Sequence, residues 1–311
     1  MRDTGATPHR LALIGLAAVS GLALAGCGAG GQRGGTDAQT PLPTVVASTD
    51  VWGSVAESVA GDDAKVSSII TSGSADPHSF EASPSDAAAI ADATVVVYNG
   101  GGYDQWVTAV LAGEPGVRAV DAYALLDAAA IAEPLPANEH VFYELNTAKA
   151  VANQIAVELS QADPAKSDDY RSRAEEFGHR ADTILAGERA VGAEAAGRAV
   201  VATEPVAHYL LRATGLTDKT PPGFANAIEQ DTDPAPVDVA AMLDLITNRE
   251  VAALLYNDQT ATEVTREIRA AAEGAGVPVV TVTETLPPGS DYLGWQSGTA
   301  DRLAAALRDN Q

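Results

Sequence analysis

The sequence of 311 residues predicts two α/β lobes with mostly parallel sheets, joined by a helical spine. Three observations carry this expectation. Short apolar, β-branched runs recur and read as strands buried on both faces of a parallel sheet. Helix-forming stretches separate them, the alternation typical of α/β layers. The rhythm then stops from about Thr147 to Glu194, where the sequence is helical throughout and rich in Ala, Glu and Arg. One larger sheet with a long crossover is the alternative reading of the same pattern.

Taken in order, the chain opens with Arg2 and Arg10 and an apolar run from Leu11 to Gly26. That run is shorter than the roughly 20 residues of a bilayer-spanning helix and is broken by Gly15 and Gly21, so residues 1–26 are expected to be an export signal. Leu24-Ala25-Gly26-Cys27 closes it and resembles the lipobox of bacterial lipoproteins, with Cys27 as the lipidated residue. Cys27 is the only cysteine, which excludes an intramolecular disulfide. Residues 27–43 read as the lipidated Cys and a flexible tether of Gly, Gln, Thr and Pro.

An N-terminal α/β lobe is expected over 44–146, with strands at Thr44–Ser48, Val66–Thr71 and Thr94–Asn99 and helices at Trp52–Val59 and Asp86–Ala93. A helical linker follows over 147–196. Asp163-Pro164 interrupts it, and a second helix can start there with Pro164 in its first turn. The C-terminal α/β lobe, 197–311, carries strands at Ala199–Thr203, Val251–Tyr256 and Pro278–Val282 and helices at Val237–Ile246 and Thr260–Gly274.

Charge narrows the function. Nineteen basic against 42 acidic side chains give a net charge of −23, the opposite of a nucleic-acid footprint and attractive to cations. The 46% hydrophobic content excludes a disordered acidic tail. Gly100-Gly101-Gly102 lacks the Lys-Ser/Thr of a P-loop and the spacing of a dinucleotide fingerprint, so it reads as a turn and no organic cofactor is expected.

Ligands of open α/β sheets collect beyond the carboxyl ends of the strands. Four side chains with lone pairs fall at element junctions: His78 after the second strand, His140 before the helical stretch, Glu204 directly after Ala199–Thr203, and Glu284 just past Pro278–Val282. Each has a plainer reading as a solvated loop histidine, a favourable charge at a helix start or a turn residue. His179 sits in a charged helix and reads as solvated; His208, one turn after Glu204, is either a substitute ligand or a core residue.

At these positions the sequence resembles the zinc/manganese solute-binding proteins of bacterial ABC importers. The resemblance rests on Ser74-Ala75-Asp76-Pro77-His78-Ser79-Phe80-Glu81, on Ala93-Thr94-Val95-Val96-Val97-Tyr98-Asn99-Gly100 with Trp106, and on Asn138-Glu139-His140-Val141-Phe142, where Glu139 stands in place of the family's proline. It continues through Thr203-Glu204-Pro205-Val206-Ala207-His208-Tyr209 and Thr283-Glu284-Thr285-Leu286, with Glu284 where Asp is usual. The resemblance implies lobes joined by a long rigid helix and a metal site in the interlobe cleft. It implies His78, His140, Glu204 and Glu284 as ligands of one divalent transition metal, Zn²⁺ or Mn²⁺, with Asp291 or Asn257 as stand-ins for the fourth. It also implies a monomer, lipid-anchored through Cys27 to the outer face of the cell membrane, that delivers its ion to a permease powered by a separate ATPase. The stretch from Glu133 to Asn138 is short and has none of the histidines that often mark zinc receptors.

The donor set is chemically coherent. Two carboxylates offset the charge of a divalent ion in a partly dehydrated cleft, and two imidazoles favour a transition metal over Mg²⁺ or Ca²⁺. A secreted metallohydrolase is the less favoured alternative, because catalytic zinc usually keeps three protein ligands and an open position. No His-Glu-x-x-His helix or Gly-x-Ser-x-Gly elbow occurs, so the chain is not expected to be an enzyme. A lipoprotein of the same fold whose cleft serves adhesion or another ligand is the remaining alternative.

Overall fold

The computed structural model describes residues 41–71, 77–126 and 138–309. The expected leader, Cys27 and most of the tether lie outside the described residues, as do Asp76 and the stretch from Glu133 to Ala137. The first lobe runs β1 (Thr44–Thr49), α1 (Asp50–Ala60), β2 (Lys65–Ile70), α2 (Pro84–Ala91), β3 (Val95–Tyr98), α3 (Gln105–Leu111) and β4 (Arg118–Asp121). Two long helices follow, α4 (Leu145–Ala162) and α5 (Ser167–Glu194). The second lobe contains β5 (Ala199–Ala202), α6 (His208–Thr214), β6 (Thr217–Asp218), α7 (Pro222–Glu229), α8 (Pro236–Thr247), β7 (Leu254–Asn257), α9 (Glu263–Ala275), β8 (Val279–Val282) and α10 (Tyr292–Asp309).

Among the described residues all strand pairs are parallel, in two four-stranded sheets of order β2-β1-β3-β4 and β6-β5-β7-β8. The alternative of one larger sheet is thereby excluded. Alternation along the strands explains their continuous apolar character. Val45 and Ala47 face the central core while Val46 faces an outer cluster with Ile90, Val96 and Val107. In the second sheet Val200, Ala202 and Leu255 point to the central core, and Val201, Leu254 and Tyr256 to a cluster with Phe224, Met242 and Ile268. Helices therefore cover both faces of each sheet.

β4 and β6 have no counterpart among the expected strands. They are edge strands, and Thr217 and Asp218 are both exposed, so neither needs an apolar run. Local chemistry also shifts some boundaries. Ser83 and Asp86 form a capping box with Pro84 in the first turn, fixing the start of α2. Thr262 caps α9, so that helix begins three residues later than the apolar pattern suggests. Pro164 opens a short 3₁₀ turn, Pro164–Lys166, and α5 starts only at Ser167.

The 28 residues of α5 span about 42 Å at 1.5 Å per residue. This helix lies between the lobes, packing on α1 and α4 on one side and on α6 and α10 on the other. Residues from both lobes share its core, including Trp52, Phe142, Tyr170, Phe177, Tyr292 and Trp295. Direct hydrogen bonds tie the lobes as well: the Tyr143 hydroxyl donates to the Thr283 carbonyl at 3.0 Å, and the Tyr292 hydroxyl to the Phe142 carbonyl at 2.8 Å. Such buried ties restrict the positions of loops at the strand ends, where the candidate ligands lie. Among the described residues no helix is long and apolar enough to cross a membrane.

Candidate metal centre

His140 begins the geometry because its tautomer can be read. Asn138 donates its amide N–H to the Pro205 carbonyl at 3.0 Å, so its Oδ1 faces His140, accepting from the backbone N–H at 2.9 Å and lying 3.3 Å from Nδ1. Nδ1 therefore carries the proton, and the Nε2 lone pair points into the cleft. It is buried and has no hydrogen-bond partner. Three aromatic rings, Tyr103, Phe142 and His78, surround the imidazole.

Glu284 lies just beyond β8. Its Oε1 accepts from the Asn257 amide at 2.8 Å, whereas buried Oε2 has no hydrogen-bond partner. That oxygen is 3.4 Å from His78 Nε2 and 3.7 Å from His140 Nε2. His78 packs edge-on against Tyr103 and keeps its side chain 25% exposed. Atoms of His78, His140 and Glu284 all lie within 4.8 Å of one another, a separation suited to a shared cation.

Glu204 stands one hydrogen bond away. Asn257 donates to its Oε2 at 2.9 Å and to Glu284, bridging the two carboxylates, while the Thr260 hydroxyl donates to its Oε1. Asn257 is thus a clamp that orients carboxylates. Asp291 sits at the start of α10, pairs with Arg180 at 3.8 Å and is half exposed, apart from the cluster. His208 heads α6, with a buried Nε2 that has no hydrogen-bond partner, and lies outside the two groups with ligand-like spacing. His179 is exposed on α5, as expected.

Two further acids face the same imidazoles. Glu139 Oε1 is 3.7 Å from His78 Nδ1, and Glu229 Oε1 is 3.7 Å from His140 Nε2. Sequence reasoning noted Glu139 only as a replacement and missed Glu229, which ends a helix and follows no strand. The available signal was its position: a carboxylate at a helix C-terminus opposes the macrodipole.

Mutual proximity shifts the proton affinities of these groups. Burial alone would lower His78, but Glu284, Glu139 and Glu229 outweigh it and raise the imidazole to about 9. His140 is pulled down to about 4, chiefly by burial and only partly restored by Glu284. Burial would raise Glu284, yet the two histidines and Asn257 hold it below the usual carboxylate range. Burial pushes Glu204 up to about 7 and Glu229 up to about 8, the latter helped by neighbouring carboxylates. Neutral His140 beside ionised Glu284 is a ready pair of cation ligands, while His78 holds a proton that an incoming cation must displace.

The chain from residue 45 to 306 matches the model of the zinc-uptake complex component A periplasmic family. The chain belongs to that family. It is a zinc/manganese-type solute-binding protein of the ABC importers and not an enzyme. Its relatives include the manganese-binding lipoprotein MntA of Bacillus subtilis, 26% identical, the alignment covering 90% of this chain and 89% of that one. A second, the manganese ABC transporter substrate-binding lipoprotein PsaA of Streptococcus anginosus, is 21% identical with 93% and 96% covered. The alignment with MntA of Halalkalibacterium halodurans is 29% identical but spans 51% of this chain and 52% of that protein. The fold of this family member is similar to that of the periplasmic zinc-binding protein TroA of Treponema pallidum, with a TM-score of 0.73 at 19% identity over 86% of this chain and 99% of that one.

Proposed function

We propose that the protein captures a divalent transition metal outside the cell and delivers it to an ABC importer permease, with His78, His140, Glu204 and Glu284 as the ligands. The observation that carries this reading is the convergence of two buried polar atoms without hydrogen-bond partners, His140 Nε2 and Glu284 Oε2, on His78 Nε2. Burying such atoms unpaired is costly, and a shared cation would satisfy them together. Glu204, outside the ligand-spaced group, would join by giving up hydrogen bonds to Asn257 and Thr260.

The same reading assigns residues 1–26 as the leader, 27–43 as the Cys27 anchor and tether, 44–146 and 197–311 as the lobes, and 147–196 as the linker. It has a monomer lipid-anchored to the outer face of the cell membrane, docking on a permease with its ATPase. The adhesin alternative is not favoured, because the cleft retains converging metal-type donors. Competition titration of the chelator-stripped protein with Zn²⁺ and Mn²⁺ tests the reading. One ion per chain should bind, and His140→Ala should weaken it at least a hundredfold; wild-type protein that takes up neither ion would overturn it.

A further inference from the structure

We infer that Glu229 is a fifth ligand of the captured ion and biases the cleft toward Mn²⁺ over Zn²⁺. The inference rests on the metal-capture reading and extends it to a residue of α7 that follows none of the strands. Ligand atoms about 2.1 Å from a common ion, at tetrahedral to octahedral angles, lie about 3.0–3.4 Å apart. Glu229 Oε1 is 3.7 Å from His140 Nε2, as far from it as Glu284 Oε2. A shift of a few tenths of an ångström brings either carboxylate to ligand spacing from His140 Nε2; Glu229 must in addition move toward His78 and Glu284, whose group it does not join.

Two further observations support the assignment. His140 Nε2 is buried and has no hydrogen-bond partner, and carboxylates of two separate segments, Glu229 of α7 and Glu284 beyond β8, lie 3.7 Å from it. Glu229, His78 and Glu139 also form a group with atoms within 4.8 Å of one another, next to the inner group of His78, His140 and Glu284; Glu139 faces His78 Nδ1 and Glu284 faces its Nε2. Glu229 is 20% exposed, against 1% for Glu284. Its place at the end of α7, whose last turn has no basic residue, opposes the helix dipole. Glu139 adds negative potential from the first lobe at 3.7 Å from His78 Nδ1.

The consequence for selectivity follows from coordination chemistry. Zn²⁺ is satisfied by four ligands in a tetrahedron. Mn²⁺ binds a given set of donors more weakly but accepts a larger, oxygen-rich shell. A third carboxylate therefore contributes to Mn²⁺ and adds little to an already closed Zn²⁺ shell. Two imidazoles and three carboxylates form a donor set in which the usual advantage of Zn²⁺ is reduced.

The test compares the exported protein, extracted in mild detergent and stripped of metal, with its Glu229→Gln, Glu229→Asp and His140→Ala variants. Competition titrations give the Mn²⁺ and Zn²⁺ affinities, and X-ray absorption of the Mn²⁺-loaded protein gives the coordination number. Glu229→Gln should shift the Mn²⁺/Zn²⁺ affinity ratio at least tenfold toward Zn²⁺ and remove one oxygen from the Mn²⁺ shell, with Glu229→Asp intermediate. An unchanged ratio and shell in Glu229→Gln, with binding still lost in His140→Ala, would overturn this inference alone. Wild-type protein that binds neither ion would overturn the metal-capture reading as well.

Discussion

Loading the cleft with metal at pH 7 should expel protons in a number fixed by the geometry. His78, raised to about 9 by its three carboxylate neighbours, is almost fully protonated at that pH, and Glu204, raised to about 7, is half protonated. His140, lowered to about 4, and Glu284, held below the usual range, contribute none. Ligation by these four groups therefore releases about 1.5 protons per ion, since each ligand must bind in its deprotonated form. Participation of Glu229, raised to about 8, brings the total to about 2.4 protons. The sign is fixed: groups that bind protons more tightly in the metal-free protein make affinity rise with pH. Between pH 7 and pH 6 the four-ligand affinity falls about 50-fold, roughly tenfold from His78 and fivefold from Glu204. The expected onset of loss thus lies above the ordinary histidine value of 6.5, because Glu284 and its neighbours move His78 upward. Calorimetry in buffers of differing ionisation enthalpy reads the proton count from the slope of heat against buffer enthalpy. His78→Ala should lower the count by about one. A count of zero, or affinity that is flat from pH 8 to pH 6, would refute the ligand assignment.

Two stability predictions come from the spine. Glu188 is fully buried on α5 with neither carboxylate oxygen hydrogen-bonded, and burial, aided by Glu144, raises it to about 8. An acid raised in the folded state loses stability as pH climbs from its unfolded value of 4.5 through about 8, a loss of about 3 kcal/mol at pH 7. Glu188→Gln should therefore stabilise the protein at pH 8 relative to pH 5 in urea melts, and equal pH slopes in variant and wild type would contradict this. Gly192, also on α5, lets the helix approach α6 closely: a Cβ there would clash with the Thr214 carbonyl oxygen. Gly192→Ala should cost about 1–3 kcal/mol or more in thermal unfolding, and an unchanged melting temperature would show that the helices do not require this contact.

Much of the fold was legible because strand burial is written locally. Val45-Val46-Ala47 and Val95-Val96-Val97-Tyr98 are apolar at every position, since both faces of their sheet are covered. The edge strands β4 and β6 were not legible, because a short strand with a solvated side has no such run. His78, Glu204 and Glu284 stood out because strand ends are where an α/β fold presents ligands, and His140 because it stands at the junction before the helical stretch. Glu229 follows no strand, so that rule passed over it.

The sequence by itself determined which segments become buried strands and helices and which loops carry imidazole and carboxylate, because periodicity and capping act between residues a few positions apart. Tertiary structure alone decided that Asn257 clamps Glu204 and Glu284, that Asn138 turns the His140 lone pair into the cleft, and that Glu229 reaches the same nitrogen. These relations join segments distant in the chain. Their ångström-scale distances are set by how α5 and the shared aromatic core hold the two lobes together, a property of packing that no local pattern encodes.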